Sequence, residues 1–172
     1  LERLGVTVYV DEPRTLEDVA RSVRAIGTLT GTRKVAEQAA QEHLDRLDAL
    51  RSRYGALTPV SVLYQVWHQP LQTLNGEHLV SDVIRLCGGR NVYADAKPLA
   101  PTINMESVLE RDPQVIVASG MGEERPDWLV EWKSWYELTA VQQDNLFFVA
   151  PDLIQRHPPR ILDGAEPFCR HI

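Results

Sequence analysis

Long hydrophobic runs and an excess of basic charge are both missing from the sequence. No apolar run approaches the roughly 18 residues that a membrane-spanning helix needs, and no basic segment followed by a short apolar core opens the chain. The formal net charge is -6, from 18 basic and 24 acidic residues that are interspersed along the chain. This distribution argues against a nucleic-acid partner and against a basic membrane-binding face. Small solutes or another protein are therefore the expected partners.

Motifs for catalysis and phosphate binding are missing as well. The sequence has no GxSxG elbow, no HExxH and no Ser/His/Asp set that it brings together. Residues 120–122 read Gly-Met-Gly but lack the third glycine of a dinucleotide fingerprint, and Glu123 and Glu124 would repel a phosphate. The five histidines are scattered. We therefore expect no catalytic residues, no metal site and no resident cofactor.

Cysteine is scarce, with only two residues, Cys87 and Cys169. They lie in no CxxC or Cys/His spacing, which argues against a zinc site. In a cytosolic protein they would be two buried thiols, whereas in a secreted protein they would form one long-range disulfide. The cysteine count alone leaves both interpretations open.

What is present has the composition of one ordinary globular domain: 172 residues, 44% hydrophobic and 24% charged. Predicted strands at residues 60–66, 115–118 and 146–149 alternate with helical segments, and there is no internal repeat. This alternation predicts an α/β fold with a parallel sheet that is covered on both faces. In such sheets ligands bind outside the carboxyl ends of the strands, which directs attention to the loops at 67–70, 119–124 and 151–157.

The first 54 residues have a different pattern. Residues 4–10 alternate in polarity, which predicts a strand already under way, and the chain starts at a leucine rather than a methionine. A capping box at residues 15–18 opens a helix. A longer helix over residues 32–54 would span more than about 30 Å, which suits a rigid connection between two lobes. We therefore expect the chain to be part of a longer protein.

Two further helical segments are predicted after residue 125. Four aromatic residues recur at the spacing of one helical face, which favours core packing: Trp128, Trp132, Trp135 and Tyr136. They belong to a predicted helix over residues 128–138. Pro158 and Pro159 are expected to open the final helix, in which Pro167 predicts a kink or an early end.

Four blocks of the sequence resemble, in their order and spacing, the periplasmic cobalamin-binding protein family: residues 63–67 (LYQVW), 83–92 (VIRLCGGRNV), 105–109 (MESVL) and 112–117 (DPQVIV). Pro159-Arg160 followed by Cys169 extends the resemblance to the end of the chain. The Cys-Gly-Gly-x-Asn block is the most specific element. Iron-siderophore and haem binding proteins share it in looser form.

The resemblance implies a two-lobed substrate-binding protein. Residues 1–31 would be a remnant of the N-terminal lobe, residues 32–55 an interlobe helix, and residues 56–172 a three-layer, Rossmann-like C-terminal lobe. Such a protein captures cobalamin in the interlobe cleft and delivers it to an ABC transporter permease in the inner membrane. A periplasmic location is implied, with a signal peptide expected on the missing N-terminal part. Ferric siderophores or haem are the alternative ligands; an enzyme of unknown reaction and a non-transport scaffold are alternative classes.

The resemblance also assigns roles to particular residues. Glu106 falls on the position that docks on permease arginines, although an acid in the first turn of a helix is also favoured by the helix dipole. Cys87 and Cys169 fall on positions that form a disulfide in family members that carry both cysteines. A loop of about 80 residues closed in this way would stabilise the fold by roughly 4 to 5 kcal/mol.

Four residues are the candidate ligand contacts: Trp67, His68, Asp152 and Arg156. A flat indole can pack on a macrocycle, while Asp and Arg can meet its polar amide fringe. Trp67 could instead be a strand-end anchor, and the Asp–Arg pair a surface ion pair worth under about 1 kcal/mol. His68 or Tyr64 could coordinate iron if the ligand were a haem or a siderophore. Without the rest of the N-terminal lobe, the fragment is expected to bind weakly and to self-associate.

Overall fold

A four-stranded parallel sheet organises the chain. The computed structural model describes residues 2–5, 7–120, 125–156 and 158–172. The strands are β1 (Val60–Gln65), β2 (Gly89–Asn91), β3 (Val115–Ala118) and β4 (Leu146–Phe148), in the spatial order β2-β1-β3-β4. All three pairings are parallel, which confirms the predicted sheet type. The edge strand β2 was not predicted, because its sequence Gly-Arg-Asn has no apolar alternation.

Helices connect the strands and precede them. The α-helices are α1 (Leu16–Leu29), α2 (Arg33–Tyr54), α3 (Leu79–Leu86), α4 (Met105–Arg111), α5 (Thr139–Gln142), α6 (Pro151–Ile154) and α7 (Ile161–Cys169). Two segments, Glu2–Leu4 and Asp127–Ser134, are 3₁₀ helices. The predicted long helix is confirmed as α2, whose 22 residues span about 33 Å.

The two faces of the sheet are covered by different helices, so the predicted three-layer arrangement is confirmed. On one face, Val62, Tyr64 and Val117 pack with buried residues of α1, α2, α3 and α7. On the other face, Leu63 and Ile116 pack with buried residues of α4, α5 and the 3₁₀ helix 127–134. Strands β1 and β3 are buried on both sides, which explains why β3 is wholly apolar and β1 mostly so.

The helical hairpin of α1 and α2 begins at the predicted capping box. The Thr15 hydroxyl accepts a hydrogen bond from the Asp18 backbone N–H at 3.1 Å, and the Asp18 carboxylate accepts one from the Thr15 backbone N–H at the same distance. Near the other end of α1, a Cβ on Gly27 would lie 2.1 Å from the Ala36 Cβ. The two helices can approach this closely only because residue 27 has no side chain.

The predicted strand at residues 4–10 is wrong for the part that the structure describes; Val6 lies outside the described residues. Residues 7–10 are exposed and belong to no strand, and Val10 retains 72% of its accessible surface. None of the four strands of the sheet pairs with this segment. Alternating polarity alone does not form a strand, because the backbone groups need a neighbouring strand to bond with.

Two helix predictions near the end of the chain need correction. Residues 127–134 form a 3₁₀ helix in place of the predicted α-helix over 128–138. The final helix α7 begins at Ile161, after a turn in which the Ile161 N–H donates to the Pro158 carbonyl at 2.9 Å. It then continues through Pro167 to Cys169 and so does not end early.

The two cysteines form the disulfide that the resemblance implies. Cys87 follows the last residue of α3 and Cys169 is the last residue of α7, with Cα atoms 4.7 Å apart. Both are almost fully buried, at 2% and 3% exposure. The bond joins two helices that lie on the same face of the sheet.

Candidate ligand-binding site

The order of the strands places a crevice between β1 and β3. From β1 the chain crosses to β2 on one side, and it then returns to place β3 on the other side of β1. The direction of winding therefore reverses between these two strands. In open parallel sheets, ligands bind outside the carboxyl ends of the strands at such a switch point.

A pocket of about 300 Å³ lies at this position. It is lined by Gln65 at the end of β1, by the loop after β1, by residues around the start of α4, and by the 3₁₀ helix 127–134 with the adjoining Trp135. Three of the chain's four tryptophans line it: Trp128, Trp132 and Trp135. A mainly apolar, aromatic lining with a few polar groups is typical of sites for small molecules.

The loop after β1 forms one wall of this pocket. Its base is closed by two backbone hydrogen bonds, from the Val66 N–H to the Gln72 carbonyl at 3.0 Å and from the Gln72 N–H to the Trp67 carbonyl at 3.1 Å. Within the loop, the Trp67 indole N–H donates to the Gln69 carbonyl at 2.8 Å. These contacts hold the loop in a shape that presents His68, Gln69 and Leu71 to the pocket.

His68 connects the loop to the opposite wall of the pocket, the aromatic wall formed by Trp128, Trp132 and Trp135. Its imidazole stacks on the Trp128 ring with centroids 5.3 Å apart and planes 6° from parallel. Its Nε2 lies 3.3 Å from a carboxylate oxygen of Glu131, a contact that becomes an ion pair when the imidazole is protonated. Both Trp128 and Glu131 line the pocket. The site therefore combines flat apolar surfaces with one imidazole and one carboxylate.

Of the four predicted ligand contacts, His68 lies in the pocket wall. Trp67 lies next to it in the same loop and is 37% exposed, but it does not line the cavity. Asp152 and Arg156 lie at the helix α6 that follows β4, where their side chains form an ion pair of 2.8 Å. The Arg156 side chain is exposed and that of Asp152 is half-buried, and the pocket includes neither of them.

Tyr64, the other suggested iron ligand, is not available to a ligand. It is fully buried on the opposite face of the sheet, and burial raises the pKa of its hydroxyl to about 12. Its hydroxyl is within 3.5 Å of the Gln155 amide nitrogen. Gln155 also donates to the Ser119 carbonyl at 2.9 Å. Tyr64 therefore contributes to the packing beneath the ends of β1 and β3 and does not face the pocket.

Core packing, which the sequence favours for Trp128, Trp132, Trp135 and Tyr136, is found only in part. Trp132 is buried, at 5% exposure, and so agrees with that prediction. Trp128 is half-buried against His68, Trp135 is 37% exposed at the pocket, and Tyr136 is 73% exposed. The signal that would have found the wall is the recurrence of three tryptophans directly after the loop that follows β3.

The remaining predicted positions are Glu106 and the loops at 119–124 and 151–157. Glu106 is exposed in the first turn of α4, immediately after the pocket residue Met105. Of the loop at 119–124, residues 121–124 lie outside the described residues, as does His157 of the loop at 151–157.

The residues that the structure describes contain no group of His, Cys, Asp and Glu that could hold a metal ion. None of the described helices has the length and apolar character needed to span a membrane.

Known proteins are similar to this chain in sequence. A family model described as "Periplasmic binding protein" matches residues 1–153. Vitamin B12-binding protein from Vibrio cholerae serotype O1 is 34% identical over 173 residues, covering 100% of this chain and 62% of that protein. The protein of the same name from Vibrio parahaemolyticus is 29% identical, with 99% and 62% covered. The chain thus spans less than two thirds of the length of these curated relatives.

Solved structures share the fold. The periplasmic vitamin B12 binding protein BtuF of Vibrio cholerae superposes with a TM-score of 0.88 at 33% identity, covering 99% of this chain and 66% of that one. IsdE of S. aureus, solved in complex with heme, gives a TM-score of 0.83 at 15% identity, with 99% and 69% covered. At that identity the likeness to IsdE concerns the fold alone.

Proposed function

The chain belongs to the periplasmic binding protein family, and we propose that it captures a cobalamin-type corrinoid and delivers it to an ABC transporter permease in the inner membrane. The observation that carries this proposal is the aromatic pocket at the switch point between β1 and β3. Curated relatives at 34% identity, which bear the name vitamin B12-binding protein, support the choice of ligand. The corrinoid is cargo in this proposal, so no resident cofactor and no turnover are expected.

A corrinoid is larger than the pocket and would extend beyond it. A volume of about 300 Å³ accommodates only part of such a ligand, while binding sites typically enclose 70 to 90% of a ligand's surface. We propose that the rest lies across the exposed ring of Trp67 and reaches Asp152 and Arg156 at the end of β4. These two side chains would exchange their mutual ion pair for the ligand's amide groups. The facing wall would come from an N-terminal lobe.

The ligand proposal is tested by titrating the full-length protein that contains these residues. Cyanocobalamin, haemin and a ferric hydroxamate siderophore would each be added while absorbance and heat are recorded. We expect tight, saturable binding of cyanocobalamin and at least about hundredfold weaker binding of the other two, a difference of roughly 2.7 kcal/mol. Conversion of any of the three into a product would instead support an enzyme.

A second candidate ligand is a haem or ferric siderophore. The observation that favours it is His68, whose imidazole lies in the pocket wall and is of the kind that coordinates iron. Coordination through Nε2 would require the imidazole to leave Glu131. Tight binding of haemin with a shifted absorption band that is lost in His68→Ala would establish this alternative.

Glu106 is proposed to dock the protein on the permease. Its side chain is exposed, at the rim of the pocket, and has no ion-pair partner among the residues that the structure describes. Glu106→Ala should leave the Kd for cyanocobalamin within about twofold and weaken permease association roughly thirtyfold, because a charge-paired contact of about 2 kcal/mol is lost. Association with the permease in detergent or nanodiscs measures this effect.

The matched control for Glu106 is Glu137→Ala, which removes an exposed acid that lies outside α4. That variant should dock normally. Loss of corrinoid affinity with normal docking in Glu106→Ala would reverse the assignment.

The family is periplasmic, and we propose that this protein is exported by a signal peptide and works in the periplasm. An oxidising compartment agrees with the buried Cys87–Cys169 disulfide. Mass spectrometry of unreduced, periplasmically expressed protein should show one intramolecular link. Two alkylatable thiols would remove this support.

We also propose that residues 1–172 self-associate when they are studied alone. The outer side of the α1–α2 hairpin exposes Ile26, Leu29 and Val35, at 51%, 64% and 71%. Apolar groups that are exposed together favour association. Light scattering should detect dimers, and calorimetry should show at least about tenfold weaker cyanocobalamin binding than for the full-length protein. A monomer that binds as tightly as the full-length protein would contradict the proposed cleft.

A further inference from the structure

Gln65 is a fully buried polar residue at the centre of the pocket. It is the last residue of β1, its exposure is 0%, and it contributes to the pocket lining. Its backbone carbonyl accepts a hydrogen bond from the Ser119 N–H at 2.8 Å, which fixes the main chain against the end of β3. A buried amide at this position is costly unless both of its polar atoms have partners.

Both ends of the Gln65 amide are used. The oxygen accepts a hydrogen bond from the Trp132 indole N–H at 2.8 Å, and the nitrogen donates to the Trp67 carbonyl at 3.3 Å. An indole N–H can only donate, so the amide oxygen must face Trp132 and the amide nitrogen must face the carbonyl. The orientation of the amide is thereby fixed by its partners.

These two partners belong to opposite walls of the pocket. Trp132 is part of the aromatic wall from the 3₁₀ helix 127–134. The Trp67 carbonyl also accepts the Gln72 N–H, so it lies at the closed base of the loop that presents His68 and Leu71. The Gln65 side chain thus links the two walls from below, while the stack of His68 on Trp128 links them at the pocket surface.

We propose that Gln65 is a positioning residue for ligand recognition: it sets the distance and the angle between the aromatic wall and the loop after β1. This inference rests on the proposed corrinoid-binding function. It goes beyond that function by assigning the shape of the pocket to a fully buried residue at its base. The ligand would contact the walls that Gln65 holds.

Gln65→Met tests the role, because methionine has nearly the same length and neither hydrogen bond. In the full-length protein, cyanocobalamin binding measured by calorimetry should weaken at least about tenfold. The control is Ser81→Ala, which also removes buried hydrogen bonds, to Asn75 and Asn91, but lies outside the pocket. Ser81→Ala should lose stability while its Kd stays within about twofold of the wild type.

A second measurement separates positioning from a general loss of stability. Each tryptophan side chain gives one indole N–H signal in a spectrum of the ¹⁵N-labelled full-length protein, and four tryptophans lie in residues 1–172. Trp132→Phe identifies the signal of Trp132. This signal should shift and exchange faster in Gln65→Met, but not in Ser81→Ala.

Each outcome bears on one proposal. If Gln65→Met binds cyanocobalamin like the wild type, or if the Trp132 signal is unchanged, the positioning role is wrong. If the wild type itself fails to bind cyanocobalamin, the proposed ligand is wrong, and the spectra still decide on Gln65 without any ligand. Should Gln65→Met not fold, Gln65→Asn keeps the amide but is one methylene too short to reach both Trp132 and Trp67, and it should also bind at least about tenfold more weakly. Wild-type affinity of that variant would contradict the role.

Discussion

Replacing both Cys87 and Cys169 by serine is expected to lower the free energy of unfolding by about 4 to 5 kcal/mol. The disulfide joins residues 82 positions apart, and a cross-link that closes so long a loop strongly restricts the unfolded chain. Both sulfurs are buried where α3 and α7 pack on the sheet. Burying two serine hydroxyls there would add a desolvation cost to the effect of losing the cross-link. Urea denaturation of the wild type and of the double variant measures the difference.

Two controls accompany the disulfide experiment. Denaturation of the wild type in a reducing agent should reproduce most of the loss without any substitution. Arg170→Ala removes an exposed ion pair to Glu166, next to the disulfide, and should cost under about 1 kcal/mol. A double cysteine variant that is as stable as the wild type would show that the bond does not constrain the unfolded chain.

Trp128→Ala is expected to weaken cyanocobalamin binding by about 2 kcal/mol, or roughly thirtyfold in Kd. Trp128 supplies a flat surface in the pocket and also holds the imidazole of His68 by stacking. Its removal takes away an apolar wall and frees His68 at the same time. Calorimetry on the full-length protein measures the change.

The matched control for Trp128 is Tyr136→Ala. Tyr136 is an aromatic residue in the same stretch of chain, but it is 73% exposed and does not line the pocket. Its loss should leave the Kd within about twofold. Equal effects of the two substitutions would mean that the pocket is not the ligand-binding surface.

The central sheet could be predicted from the sequence because its strands are buried on both faces. Strand β3 is a continuous apolar run and β1 is mostly apolar, as is typical of parallel strands that are covered on both faces. The edge strand β2 has no such signal. The segment at residues 7–10 has the alternating signal but no partner strand, which local sequence cannot reveal.

Core packing was predicted for the aromatic wall on the assumption of an α-helix, whereas residues 127–134 form a 3₁₀ helix with fewer residues per turn. At 3.6 residues per turn, positions 128, 132 and 135 fall on one face, which indicates core packing. A 3₁₀ helix has three residues per turn, so Trp128 and Trp132 are separated by about 120° around the axis. Trp132 is therefore buried while Trp128 is only half-buried, although both rings line the pocket.

The loops of the candidate site could be predicted, but the contacts within them could not. The rule that ligands lie beyond the carboxyl ends of parallel strands identified the loop that contains Trp67 and His68. Whether a side chain enters the pocket depends on hydrogen bonds across the fold, such as the one between Gln65 and Trp132. The ion pair of Asp152 and Arg156 is local, at i and i+4, and was foreseeable as a surface interaction. The disulfide followed only from the family resemblance.

The most direct test of the proposed corrinoid site is a crystal structure of the full-length protein with cyanocobalamin, phased to locate cobalt by its anomalous scattering. We expect one cobalt peak outside the carboxyl ends of β1 and β3, with the corrinoid packed against the pocket that contains Trp128 and His68. A cobalt peak at any other surface, with this pocket left empty, would contradict this expectation.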